Sequence, residues 1–483
     1  MTRPHRRLTA APTAWRANAS ARIAAGRVAP DRGSRLVPAL GRLPPLARFG
    51  LLGTGAVALV SLGAALGASG SAVVREPTDF TIYYAAAHVL LAGGNPYGWH
   101  ALRQVVPDVV PLGYVYPLWG ILVFVPLAAL PLNMAAGIWL VVNLTCLALA
   151  LILLARLAGI SPRSRWLPGL FLATCGSIPG LFAVLQGQIA LPLLVAVVGA
   201  AWAARRGLGG WTGALLALAL LKPQFTWLPI LAVLAIAFHR GVLRSAALSL
   251  MGVAAALIVV SFVIRPVWVG NWLAALHQAE NAGGAGQRAL WANMGTVPAL
   301  AVHLPAPLGA AVLMLAGLAG VFSLAMLAAR ALTAPAGSLH TSPDATALAE
   351  ARLLAGAILV GSVLTPWMWI YDGVFWLVPV AIAVACGPGW RRWGSLLAFV
   401  ALPWLVRAIH VASTPAAGTS LNKLEDVLVA PVLLALMLIE PRQVRALIAR
   451  WHDPLSPPNV AGAPTPATPA GATHPATPAG RRR

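Results

Sequence analysis

"ALLALALLKPQFTWLPILAVL", residues 214–234, holds a single charge, Lys222, in a run that is otherwise apolar or weakly polar. Wound as one helix at about 1.5 Å per residue, it would reach about 30 Å, the depth of a bilayer's hydrocarbon core. Pro223 follows the lysine directly and divides the run into two shorter apolar pieces. Only two of the 483 residues are lysines, so an ammonium at this place needs a physical reason. An intramembrane cation is costly and as a rule faces protein and a partner.

Working outward, the whole chain has the same character. It is 59% hydrophobic and 10% charged, with a mean hydropathy of +0.80. A soluble domain carries about a quarter charged residues. Apolar runs recur at 51–74, 115–132, 134–156, 167–185, 188–204, 211–221, 224–238, 244–264, 306–329, 351–365, 373–387, 394–410 and 424–440. Within lipid, stacked helices are what satisfies the backbone over such lengths, so the expected fold is an all-α polytopic integral membrane protein with about 12–13 hydrophobic segments.

The net charge of +22 belongs to this topology and not to a nucleic-acid groove. Nine arginines fall in the first 45 residues, and others cluster between apolar runs at Arg163/Arg165, Arg205/Arg206, Arg240/Arg244, Arg330, Arg391/Arg392 and Arg442/Arg445. Basic punctuation of this kind marks cytoplasmic turns. Residues 1–48, with Asp31 as their one acid, are expected to be a basic cytoplasmic tail too long for a cleaved signal. Residues 49–441 form the membrane domain, and 442–483 an Ala/Pro/Thr-rich cytoplasmic tail without bulk for a core. Thirteen crossings cannot leave both tails on one side, so either 115–132 or the Gly/Pro-broken 167–185 fails to cross. Cys146, Cys175 and Cys386 share no metal-ligand spacing and read as packing residues. No metal or cofactor is expected.

Chemistry must come from few groups, because the chain has twelve acids. Glu76, Asp79 and Asp108 fall between the first two apolar runs. After Asp79 the larger side chains Phe80, Tyr83, Tyr84, His88 and Leu91 recur at helical steps, and Gly93-Gly94 supplies a stop. The spacing predicts a short helix at the membrane surface. Asp79 is then either its N-cap or a carboxylate at the water boundary that accepts a proton from a substrate hydroxyl. Lys222 either snorkels to the headgroups or presents its charge to an anion such as a lipid phosphate. Gln186 and Gln188 of "LQGQIALP" suit either helix-end capping or sugar hydroxyls. Asp372 in "TPWMWIYDG" stands among Trp367, Trp369 and Tyr371, residues that commonly anchor at interfaces. The stretch 265–300, with Arg265, His277, Glu280, Arg288 and three tryptophans, reads as a lid over a cavity or as a solvated connector.

The ordered stretches "DFTIYYAAAHVLLAGGNPY", "YVYPLWGILVFVPLAALP", "GQIALPLLVA", "LKPQFTWLPILAVL" and "TPWMWIYDGVFWLVP" resemble glycosyltransferase family 87, of the GT-C class of polytopic enzymes, over about residues 75–390. The resemblance implies a GT-C-type helical bundle with extracytoplasmic loop helices. It also implies sugar transfer, often of mannose, with inversion from a polyprenyl-phosphate sugar to an extracytoplasmic glycan or glycolipid acceptor. Asp79 matches the family's first-loop aspartate, its general base; Lys222 matches the lysine before the proline, and Gln188 the glutamine of the "GQ" pair. Mannosyltransferase-like members tend to have histidine after the last tryptophan motif, where Tyr371 and Asp372 stand here, and "YPL" replaces the usual "YPP".

The expected site therefore pairs Asp79, with Asp372 as second choice, as base. Lys222 and Arg288 hold the donor phosphate, and Gln188, Gln224, Tyr84, Tyr116 and Tyr371 contact sugar or acceptor. The partners are the polyprenyl-phosphate sugar, the acceptor and the bilayer, with no nucleic acid. The setting is a bacterial plasma membrane, both termini cytoplasmic. A lipid transporter or flippase is the rival reading, although transporters commonly carry internal repeats and a midplane site. A structural partner in envelope assembly is a third.

Overall fold

A computed structural model describes residues 79–107, 109, 113–161, 164, 166–281, 296–301, 304–332, 343–365, 368–413 and 424–438. The expected first helix at 51–74, both tails, Glu76, Asp108, Arg288 and Trp367 lie outside these residues.

Among the described residues the chain forms helices alone. The first are α1 (Asp79–Leu91), α2 (Trp99–Val105), α3 (Leu118–Ile121), α4 (Val125–Ala128) and α5 (Leu132–Ala158). Next come α6 (Trp166–Gly176), α7 (Ile178–Leu185), α8 (Ala190–Arg205), α9 (Gly209–Ala219), α10 (Pro223–His239) and α11 (Leu243–Ile264). Then follow α12 (Trp268–Asn281), α13 (Val297–Ala301), α14 (Ala306–Leu332) and α15 (Pro343–Leu364). A 3-10 turn (Ile370–Trp376) leads into α16 (Leu377–Cys386) and α17 (Gly389–Leu396), and a π-helical stretch (Leu397–Ala401) into α18 (Leu402–Ser413); α19 is Leu424–Leu438.

The more broken of the two stretches is 115–132. Its two helices, α3 and α4, have four residues each, about 6 Å apiece, with Pro117, Pro126 and Pro131 interrupting the run. The stretch 167–185 forms α6 and α7, bent by 72° where they meet. Ser177 caps α7, its Oγ accepting from Gly180 N at 3.1 Å, and Pro179 follows within the first turn. Gly180 lies so close to the Thr174 carbonyl that a Cβ there would collide with it, so the bend needs a glycine.

Four described helices, within α5, α11, α14 and α15, are long and apolar enough to span a membrane, five if the bent pair is counted as one span. That is fewer than the apolar runs suggest, because α8, α9, α10 and residues 370–386 are shorter. Their position explains it. Twelve of the sixteen residues of α8 are buried in protein, where a helix need not match the lipid's thickness. By contrast α11 buries only Ala246 and Ser261 fully, packing one face on α9 and exposing most of its other residues.

The helices define two ends. At one, Arg205 Nη1 donates to the Leu157 carbonyl (2.7 Å), and Arg240 grips Glu350 through Nε and Nη2 (2.6 and 2.7 Å). His239 and Arg205 reach the same carboxylate at 3.0 and 3.5 Å, and Glu350 is 1% exposed. Arg156 and Arg206 flank the Trp202 ring nearby. This is the basic end. At the other end the N-termini of α8 and α10 meet the C-termini of α9 and α15, and Thr365 Oγ1 donates to the Gln224 carbonyl (2.9 Å). The start of α1 joins them there through Gln186.

The helix α1 has the expected limits but not the expected setting. Nine of its thirteen residues are buried, so it is packed inside protein and does not float on a surface. The apolar alanines Ala85, Ala86 and Ala87 close the face that the larger residues leave, while His88 and Leu91 are the exposed ones.

Candidate active site

Asp79 opens α1, but its carboxylate is not tied up as a simple cap. The helix's first N–H groups are met from another strand of chain: Phe80 N donates to the Gln186 carbonyl (3.0 Å) and Asp79 N to Gln186 Oε1 (3.4 Å). The carboxylate accepts instead from Gln188 Nε2 and lies within the influence of the Tyr371 hydroxyl. Gln188 is fully buried, and its Oε1 accepts from Tyr83 Oη at 3.1 Å. Burial pushes the Asp79 carboxyl up from 3.8 to about 6, against the lowering effects of Lys222 and the Tyr371 hydroxyl and with some help from Asp372.

Lys222 stands at the joint of α9 and α10, where Pro223 begins the second helix. It does not snorkel: it is 2% exposed. Its Nζ lies 2.8 Å from Asp372 Oδ1, 4.8 Å from the centre of the Tyr371 ring and 5.5 Å from that of Tyr116. A buried ammonium needs this company, since leaving water is costly without a counter-charge and ring faces. The partner that Lys222 requires is thus supplied by the chain itself. Asp372 is fully engaged, because Oδ2 accepts from Trp369 N at 3.2 Å, closing the 3-10 turn. That makes it the counter-ion of Lys222 and a poor free base.

A cavity of about 260 Å³, slightly below the usual range of small-molecule sites, opens over this pair. Lys222, Asp372 and Tyr116 supply its polar wall, while Leu221, Leu276, Trp272 and Trp369 are among its apolar walls. Gln224 lies on its rim with an exposed side chain. Of the stretch expected as a lid or a connector, α12 lines the cavity through Trp272 and Leu276, with Trp272 Nε1 donating to the Val115 carbonyl (2.9 Å), while 282–295 lie outside the described residues. Arg265, just before it, donates to the Gly94 carbonyl at 2.9 Å.

The structure thus gathers Asp79, Tyr116, Gln188, Lys222, Tyr371 and Asp372 at one end of the bundle. Asp79 is not on the wall of the cavity; it lies beyond Tyr116 and Tyr371, within the field of Lys222. Tyr84 does not join them. Its hydroxyl donates to the Leu130 carbonyl at 2.7 Å and ties α1 to the segment before α5. Tyr83, which sequence reasoning passed over, belongs to the group. Its one advance signal is a position one helical turn after Asp79. Arg288 lies outside the described residues. Among the described residues no three His, Cys, Asp or Glu side chains cluster as a metal site would require.

A polar cluster built on the "GQ" and "LKPQ" stretches and facing an apolar-walled cavity agrees with what comparison of the whole chain finds. The profile of glycosyltransferase family 87 matches residues 114–366, more than half of the sequence. The chain belongs to glycosyltransferase family 87. A curated relative from Mycobacterium tuberculosis (strain CDC 1551 / Oshkosh) is 30% identical over 342 residues, 68% of this chain and 72% of its own length. It is a polyprenol-phosphate-mannose-dependent alpha-(1-2)-phosphatidylinositol pentamannoside mannosyltransferase. No solved structure matches the chain. Within the family 87 match lie Tyr116, Gln188, Lys222 and Gln224, whereas Asp79, Tyr371 and Asp372 flank it. Membership of family 87 makes the protein a membrane enzyme and sets aside the flippase and scaffold readings.

Proposed function

We propose that this enzyme transfers a sugar, with inversion, from a polyprenyl-phosphate donor to a glycan or glycolipid acceptor, and that mannose is the first sugar to test. The observation that carries the reading is the arrangement of Lys222 and Asp79 about Tyr116 and Tyr371. An inverting displacement needs a cation on the leaving-group side of the anomeric carbon and a base on the opposite side. Lys222 faces a cavity whose walls are largely apolar, as a phosphate on a lipid chain requires. Asp79 stands apart from that cavity and remains partly open.

In this reading the donor's phosphate takes up the N–H groups of Lys222 that Asp372 leaves free. Asp79 accepts the proton of the acceptor hydroxyl as its oxygen bonds to the anomeric carbon. The bond from that carbon to the phosphate oxygen breaks, and the electron pair leaves on the polyprenyl phosphate, where Lys222 stabilises it. A carboxyl near 6 is ionised at neutral pH yet more basic than an ordinary aspartate, which suits a general base. Asp372 keeps Lys222 in place between turnovers.

We place the basic end, with Arg205, Arg206, Arg240 and Arg244, in the cytoplasm by the positive-inside rule. The site end is then extracytoplasmic, at the plasma membrane of a bacterium. The relative's donor and glycolipid acceptor support the substrate classes. The test is transfer by purified protein in liposomes, supplied with radiolabelled polyprenyl-phosphate sugars and a membrane extract. Labelled product with wild type and its loss in Asp79→Asn are expected. Label that crosses the bilayer unchanged, or product formation indifferent to Asp79, would refute the reading.

A further inference from the structure

The turn Gln186-Gly187-Gln188 holds the start of α1, with two of its hydrogen bonds made to Asp79 itself. Gln186 satisfies the two N–H groups at the start of α1. Gly187 has φ +62°, and a Cβ on it would stand 2.7 Å from the Cβ of Phe80, so the turn can press against α1 only as glycine. Trp139 Nε1 holds the Gly187 carbonyl at 2.7 Å. Asn143, with its amide oriented by its neighbours, donates to the Gln188 carbonyl at 2.9 Å. Both Trp139 and Asn143 belong to α5, so the turn is fixed to a long rigid helix before its side chain reaches the carboxylate.

The Gln188 amide has a defined sense. Its Oε1 accepts from Tyr83, so Nε2 faces Asp79, and an amide N–H can only donate. We propose that Gln188, oriented by Tyr83, is a positioning residue that holds the ionised Asp79 carboxylate in one rotamer, and does not itself bind sugar. This deepens the functional reading above and rests on Asp79 being the base. With no exposed surface, Gln188 has no edge to offer a substrate hydroxyl. The other titratable and charged groups facing Asp79 are Tyr83 on its own helix, Tyr116, Lys222, Tyr371 and Asp372. Of these Lys222 and the Tyr371 hydroxyl favour the ionised form; an amide N–H donated by Gln188 to the carboxylate acts in the same direction, so its loss raises the midpoint without abolishing titration.

The test compares wild type, Gln188→Leu and Tyr83→Phe. The first readout is the pH dependence of kcat/KM in the liposome assay. The second needs no substrate: infrared titration of the carboxyl band that Asp79→Asn removes. In Gln188→Leu the midpoint should move up by about one pH unit, with acceptor KM within about twofold of wild type. Tyr83→Phe, which frees the amide to turn, should shift it less and in the same direction. It carries the test alone if Gln188→Leu does not fold. Midpoints unchanged in the variants that fold, or a rise in acceptor KM without a shift, would overturn the proposal. A shifted infrared band in a protein whose wild type transfers no sugar would defeat the functional reading and leave the positioning intact.

Discussion

Lys222 Nζ and Asp372 Oδ1 stand 2.8 Å apart across 150 residues of chain, both almost wholly buried. The pair joins the α9–α10 joint to the 3-10 turn before α16, and it forms the polar wall of the cavity. Removing one partner leaves the other charge buried alone. Lys222→Ala and Asp372→Asn are each expected to destabilise the protein by about 3–5 kcal/mol. A double variant, Lys222→Met with Asp372→Leu, should recover most of that loss. Thermal unfolding in detergent measures it. Activity should stay absent in the double variant, because the cation itself is needed for the donor phosphate.

Asp79→Asn keeps the shape of the site and removes the base. Turnover should fall by about 10²–10⁴-fold, while donor affinity, measured by ligand-dependent thermal shift, changes little. Loss of donor binding in this variant would instead place Asp79 in the phosphate pocket.

The pH profile follows from the direction of the Asp79 shift. Burial raises the carboxyl to about 6, so it is ionised above that value and protonated below it. A base must be ionised to accept a proton. The rate is therefore expected to be level near pH 7–8 and to fall about tenfold per unit below about 6. An acid limb near 4 would mean that water reaches the carboxylate freely.

Gly187→Ala tests the turn. Its positive φ strains any L side chain, and the new Cβ meets Phe80 at 2.7 Å and Trp139 at 3.2 Å. We expect a loss of about 1–3 kcal/mol and a drop in turnover larger than the change in donor KM. Stability and steady-state kinetics on the same preparation separate the two.

Glu350→Gln should lower stability by about 1.5–3 kcal/mol, because Arg240 and Arg205 lose their charge-assisted bonds and keep only a neutral acceptor. Donor affinity should hardly move, since no atom of Glu350 lies at the site end.

How much of this could be read in the sequence depends on range. The limits of α1 were legible because Asp79 and Gly93-Gly94 are local signals, and Lys222 was conspicuous as a charge in an apolar run. Its partner was not, since Asp372 carries no mark that separates it from any other acid 150 residues away. The burial of α1 was hidden for a related reason: alanines leave a face weakly apolar in pattern but allow helices to close upon it. Gln188 stands out in the sequence as a polar group at a boundary, but the direction of its hydrogen bonds depends on Tyr83, 105 residues away. Which apolar runs form long helices was not legible, because hydropathy does not distinguish a helix wrapped in lipid from one wrapped in other helices, as α8 is.

Glu350 also bears on the chemistry from a distance. The helices that reach it through Arg205 and Arg240 are α8 and α10, and their opposite ends begin beside Gln188 and at Lys222. They behave as two tines of a fork joined at the handle. The spacing of the two tips, one beside Gln188 and the other at Lys222, is thus braced from the arginine-rich face as well as at the site end itself.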